Sequence, residues 1–434
     1  MKIKSTIANV SLNMGEIVDQ ELPNVSLFYS NGQGDLKQDA KELFEYMIKN
    51  NGRLPIYSID QASVDSIMGT AGAAYAAMGH ALDIMFSMND DDIKQWYPCE
   101  ASRHPAFDGF LLMAKHTWTE RHPTVYGRFD LAINPNLGTV KGIYEFNGDT
   151  PVMLFESVNL QNMISEKMDR PDDQANRWWL DTAGRRQEFT GKKVAIVCDP
   201  GFIEDTVSCD TLAQALTEAG AVTYFTDIQS FNHDVLSLRK PFFVEGVDAP
   251  VDMAFMLLPW EEMIIGEKSQ EILVHWEQWV DQVKFLEPAW RWFMSHKGFM
   301  AWMTWLIQND EEFRDKWGDL PFLETYLVDD QNSYEQVARL EQSGNYVLKP
   351  VTGRLSNNIQ VFEQGQQQTD TGGHYSDEPM VIQALCRPGR IDGANFIAGV
   401  WLADTEPASL CFREFDSPVL SIANERFKAH VIDG

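Results

Sequence analysis

Four successive segments between residues 191 and 258 restrict the fold more than any other part of this chain. "KKVAIVCD" is a continuous apolar run of strand length, and "SCDTLAQALTEAG" has helical spacing, with Ser208 or Asp210 as N-cap and Gly220 as stop. "AVTYFTD" and "VDMAFMLL" follow as two further strands. Strands that alternate with helical segments in this order pair in parallel through crossovers, so the segment predicts a doubly wound α/β unit. A dinucleotide site is not expected in it, because "CDPGFIED" after the first strand lacks the GxGxxG spacing.

The flanking regions read differently. "DLKQDAKELFEYMIKN" places Leu43, Phe44, Met47 and Ile48 on one helical face, and "SVDSIMGTAGAAYAAMGHALDIMFSM" is a helix rich in small residues. "YGRFDLAINPNLGTVKGIYEFNGDTP" predicts two strands around a turn at 134–138, with "MLFESVNLQNMI" as a helix behind. "LEPAWRWFMSHKGFMAWMTWLIQND" is an aromatic helical stretch entered through Pro288, and its tryptophans, with Trp276 and Trp279, are expected in the core. "NYVLKPVTGRLSNNIQVF" predicts two strands joined by a turn carrying Gly353, and "EQGQQQTDTGGHYSDEP" a polar loop. "MVIQALC", "NFIAGVWLAD" and "ASLCFREF" alternate like strands of one antiparallel sheet. The fold class is therefore α+β around an inserted α/β unit.

At 434 residues, 44% of them hydrophobic, the chain can bury a large core over two or three domains. Its formal net charge of −29 repels phosphate backbones and argues against nucleic acid as a partner. Cys99, Cys198, Cys209, Cys386 and Cys411 are scattered and form no metal or disulfide spacing. With no signal-peptide pattern and no 18-residue apolar span, the expectation is a cytoplasmic protein without a membrane partner.

Glu145 and Asn147 alternate onto one face of their strand, and Asp130 on the partner strand can reach the same side. Two carboxylates and an amide oxygen are hard ligands that suit magnesium; a solvated hairpin with an Arg–Asp pair satisfies the same spacing. Arg128, two residues before Asp130, shares its face and could hold a phosphoryl group. Lys349 ends a strand before the Gly353 turn, where an ammonium and backbone N–H groups can meet phosphates. Lys297 sits among tryptophans, either snorkelling from a core helix or lining a nucleotide pocket.

In this order, "RFD", "YEFNGDTP", "LEPAWRWFMSHKGFM", "YVLKPVTGRLSNNI" and "VIQALC" resemble the synthetase region of the glutathionylspermidine synthase family, over residues 100–430. The resemblance implies a permuted ATP-grasp fold with an inserted α/β pre-ATP-grasp substrate-binding domain. Its expected limits are 1–190 with the magnesium hairpin, 191–285 for the inserted domain, and 286–434 with the ATP-binding lysines. It implies ATP and Mg2+ as cofactors, Asp130, Glu145 and Asn147 as magnesium ligands, and Arg128 as the arginine on the transferred phosphoryl group. Lys297 and Lys349 would contact ATP phosphates and Gln383 would lie near the adenine. Thr150 would stand near the acid substrate, and Glu261, in "PWEE", would face the amine.

Two departures from the family pattern stand out. Ser356 replaces the glycine of the ATP-covering loop, and "REFDSPVL" leaves open whether Glu414 or Asp416 meets substrate. The amidase domain of bifunctional members is not expected, since no cysteine precedes Cys99. The implied activity is an ATP- and magnesium-dependent carboxylate–amine ligase working through an acyl phosphate, with glutathione and a polyamine as the implied substrates. A nucleotide-binding regulator without turnover, and an interaction protein that shares only the fold, remain open alternatives.

Overall fold

The computed structural model describes residues 1–28, 34–48, 52–236, 240–421 and 423–433. Strand Lys193–Cys198 lies between Val222–Asp227 and Met253–Met256, and Lys284–Leu286 extends the sheet beyond Met253–Met256. All four strands are parallel, as the segment order requires. Val194 to Cys198 are buried without interruption, which is why the run shows no alternation.

The crossover helix spans Ile203–Glu218, so it begins five residues before Ser208, and neither Ser208 nor Asp210 caps it. Both sit buried in mid-helix; the Asp210 carboxylate accepts from the backbone N–H of Asn24 at 2.8 Å and its amide at 3.1 Å. A distant partner thus satisfies the group that looked like a cap. Gly220 does end the turn, at φ 98°, where a Cβ would come within 3.1 Å of the Thr190 Cα.

Two antiparallel sheets make up most of the remainder. The first runs Arg426–Lys428, Glu406–Phe415, Ala394–Ala403, Arg128–Asn134, Thr139–Asn147, with Gly389–Ile391 also paired to Ala394–Ala403. The second runs Thr325–Leu327, Met380–Ala384, Tyr346–Pro350, Gln360–Glu363, Gln366–Asp370. Met380–Ala384 therefore does not join the sheet of "NFIAGVWLAD" and "ASLCFREF". It is held on both edges by Thr325–Leu327 and Tyr346–Pro350. Gln366–Asp370, expected as loop, is an edge strand whose polar side chains stay in water, so its ladder leaves no apolar pattern. A third, three-stranded sheet brings Ile3–Ala8, Leu54–Asp60 and His430–Asp433 together.

Helix Leu36–Met47 buries Leu36, Ala40, Phe44 and Met47; the last residues of the expected helix, Lys49 and Asn50, lie outside the described residues. Helix Gln61–Phe86 buries Ala71, Ala74, Ala77 and Ala81, whose small side chains let neighbours approach closely. The aromatic stretch is two helices, Trp290–Ser295 and Lys297–Asn309. His296 is extended between them (ψ 134°), and its Nδ1 accepts from the Gly298 N–H at 3.0 Å. Lys297 is thus a first helical residue, not a mid-helix one. Trp279, Trp290, Trp292 and Trp302 are core, but Trp276 is half-buried and Trp305 is exposed, stacked on Trp302 with ring centroids 5.1 Å apart.

Candidate active site

The two antiparallel sheets and the parallel unit border one cleft of about 1390 Å³, and all nine predicted site residues line it. In the hairpin Arg128 stands opposite Asn147 and Asp130 opposite Glu145. The register then shifts, so that Tyr144 is an extra residue opposite the Asp130–Leu131 step. A bulge of this kind turns its strand and re-aims the adjacent side chain.

Asp130 is the most contested oxygen pair in the cleft. Arg128 donates to it through Nε at 2.7 Å and Nη2 at 3.1 Å, and Arg413 through Nη1 at 3.1 Å. Asn147 Nδ2 lies 3.4 Å from both Asp130 and Glu145. Arg128 also donates to the Val152 carbonyl at 2.6 Å, so none of its three nitrogens is idle. Gly399 makes room for it: a Cβ there would press the Arg128 Cδ at 3.1 Å.

Across the cleft, Lys297 donates to the Gly353 carbonyl at 2.7 Å and lies 3.7 Å from Glu145. Lys349, 8% exposed, donates to Gln383 Oε1 at 2.8 Å. Gln383 is fixed in turn by donating to the Thr325 hydroxyl at 3.0 Å. Burial pushes the Lys349 ammonium down to about 8, although Glu145 pulls the other way. Burial acts to raise Glu145 too, but the charges of Lys297, Lys349 and Arg128 outweigh it and hold this carboxyl at about 2.

Glu261 and Thr150 meet through a residue that sequence reasoning did not single out. Arg354, in "TGRLS", donates to Asp149 at 3.0 Å, to Glu261 at 3.3 Å and to the Thr150 hydroxyl at 3.3 Å. Glu261 also accepts from Trp292 Nε1 at 2.8 Å. Burial raises the Glu261 carboxyl, with Arg354 opposing.

Arg413 and its partner Glu425, joined by two hydrogen bonds, were also missed, as was the first turn of helix Ile203–Glu218 with Glu204 and Asp205. The "GR" pair was a usable signal for Arg354. Arg413 opens "REFDSPVL", which was read only for its two acids; nothing local in the sequence marks Glu204. Glu414 turns to the opposite face, accepting from the Tyr57 hydroxyl at 2.8 Å and Arg426 at 3.0 Å, while Asp416 stands at the rim with Arg426 at 2.7 Å. Ser356 has φ 58°, flanked by Leu355 at 52° and followed by Asn358 at 54°. Its left-handed backbone is the conformation glycine adopts without cost.

The family model described as glutathionylspermidine synthase preATP-grasp matches residues 73–433. The chain belongs to the glutathionylspermidine synthase family. Consistent with this family, a candidate acid–amine ligase of Haemophilus influenzae is 24% identical over 69% of this chain and 72% of its own length. A trypanothione synthetase of Crithidia fasciculata is 22% identical over 73% of this chain, which spans about half (48%) of that longer protein. Among solved structures, a glutathione synthetase-like effector from Globodera pallida, in apo form, aligns with a TM-score of 0.50 at 10% identity over 95% of this chain and 99% of that one. At that identity the likeness concerns the fold alone, a mixed α+β one. Family and relatives together support a glutathionylspermidine synthase-like, C–N bond-forming ligase. Among the described residues no helix is long and apolar enough to cross a membrane.

Proposed function

We propose that this chain is an ATP- and Mg2+-dependent carboxylate–amine ligase. The observation that carries the proposal is the meeting of Asp130, Glu145 and Asn147 with Lys297 and Lys349 in one cleft. The Asn147 amide lies 3.4 Å from a carboxylate oxygen of Asp130 and of Glu145, three hard side chains that suit a magnesium ion, and a Glu145 carboxyl held at about 2 is ionised at any working pH. The Asn147 amide approaches both carboxylates through its nitrogen and carries an oxygen on the same carbon. Magnesium, when bound, neutralises charge on the nucleotide phosphates.

The chain's own groups do the rest. Lys297 and Lys349 hold the phosphates, Gln383 lies toward the adenine, and Arg128 steadies the transferred phosphoryl group once Asp130 turns to the metal. A substrate carboxylate oxygen attacks the γ-phosphorus and ADP leaves; an amine nitrogen then attacks the acyl carbon, phosphate leaves, and the amine gives up a proton. Such a reaction needs positioning and charge rather than a protein nucleophile. The Arg354–Asp149–Glu261 knot with Thr150 lies where the acid and amine would meet. Family membership favours a glutathione-like carboxylate and a polyamine, an ATP-grasp arrangement in permuted order, and 191–285 as the inserted substrate-binding domain between 1–190 and 286–434.

Thermal melting with ATP and magnesium tests this. A ligand at a hundred times its dissociation constant stabilises by about 2.7 kcal/mol, which wild type should show and Asp130→Ala and Lys349→Ala should lose. Absence of any wild-type shift sinks the nucleotide reading. The Ser356 backbone favours one second reading, a nucleotide-binding regulator; a shift without ADP release for any acid–amine pair would establish it.

A further inference from the structure

Outside the cleft, at the seam between helix Phe107–Thr119 and the parallel unit, His116, His122 and Asp281 place one ligand atom each within 4.8 Å of one another. The geometry points to a transition-metal site, of zinc type, formed by these three side chains and independent of the ligase reading.

The local fold explains the convergence. His116 occupies the last turn of the helix. Arg121 follows at φ 51°, its N–H bonded to the Trp118 carbonyl at 3.1 Å, while the His122 N–H bonds to that of Thr117 at 2.9 Å. This paired closure of a helix end reverses the chain and folds the His122 ring back beside His116, with ring centroids 6.3 Å apart. Asp281 arrives from the segment ahead of strand Lys284–Leu286 and meets His116 Nε2 at 2.9 Å.

His122 is the telling member. It is 4% exposed, and its ring lies beside that of His116. The charge of Lys284 also reaches this ring, whose neutral form offers a lone pair to a metal. His116 and Asp281 have side chains 30% and 60% exposed, free to adjust toward the roughly 3.3 Å ligand spacing of a tetrahedral ion. Two imidazoles and one carboxylate suit zinc and leave a fourth position to water. The ammonium of Lys284 opposes the ion and sets the site apart from a tightly closed structural one. Bound metal would pin the helix to the parallel unit.

The test is calorimetric titration of the metal-stripped full chain with ZnCl2, and with CoCl2 followed by visible absorption. The panel is wild type, His116→Gln, Asp281→Asn and, because the cleft carboxylates could also bind zinc, Asp130→Asn. One equivalent that persists in Asp130→Asn, falls at least tenfold in affinity in both seam variants, and gives the strong visible bands of four-coordinate cobalt establishes the site. His122→Ala should behave alike, but its buried position makes the two exposed variants decisive. No binding, binding lost in Asp130→Asn, or binding that survives His116→Gln and Asp281→Asn would overturn it.

Discussion

Glu145 and Glu204 line the same cleft, and desolvation is the largest influence on both, yet one is held at about 2 and the other at about 7. Around Glu145 stand Lys297, Lys349 and Arg128; beside Glu204 the strongest neighbour is Glu425, and the arginines act less. Asp205, next in sequence, has only carboxylates among its neighbours' charges and rises to about 8. Burial alone does not decide which carboxyl ionises; the sign of the nearest charge does. One wall of the cleft thus holds a carboxyl kept ionised by its cations, and the first turn of helix Ile203–Glu218 holds carboxyls that bind their protons far more tightly than usual.

The strongest way to break this contrast is Glu145→Gln, which keeps the shape and removes the charge. ADP release in the presence of acid and amine should fall by about 10²–10³-fold, the scale of losing one electrostatic contact in a preorganised site. Wild-type turnover in that variant would remove Glu145 from the metal set.

A smaller effect sharpens the other side. Glu204 and Asp205 bind protons more tightly folded than unfolded. Their contribution to stability is therefore complete below about 4 and drains away as pH rises through about 7 to 8. The denaturant midpoint should fall between pH 5 and pH 8, and Glu204→Gln or Asp205→Asn should flatten that slope. Each should add about 1 kcal/mol at pH 8, discounted because both side chains are only partly buried. An unchanged slope in both variants would refute the assignment.

The smallest effect belongs to the loop that brings Ser356 to the cleft. Ser356→Gly relieves a left-handed serine but loosens the unfolded chain, for a net gain of about 0.5 kcal/mol by chemical denaturation. A loss of stability would mean that the Ser356 hydroxyl matters more than its backbone.

The hairpin, the strand carrying Lys349 and the parallel unit were legible because their signals are local. Alternation, apolar runs and turn residues are written within a few positions of the side chains they place. What escaped depends on distance along the chain. Arg413 reaches Asp130 across a strand that carries Gly399 at the crossing, and no spacing rule links residues 283 positions apart. Ser208 and Asp210 looked like caps because polar residues favour helix starts, but Asp210 spends its oxygens on Asn24 and Gln214. His296 split a helix that composition alone made continuous, by capping Gly298 with its own ring. Even so, the family motifs led to nine residues that one cleft collects.

Arg354 has one guanidinium to divide among Asp149, Glu261 and Thr150, residues drawn from two other stretches of chain. Any anion that enters beside it must take a hydrogen bond already in use. Affinity at that point is therefore a barter between carboxylates of similar strength, and its selectivity comes from fit, because the gross attraction has been spent before the newcomer arrives.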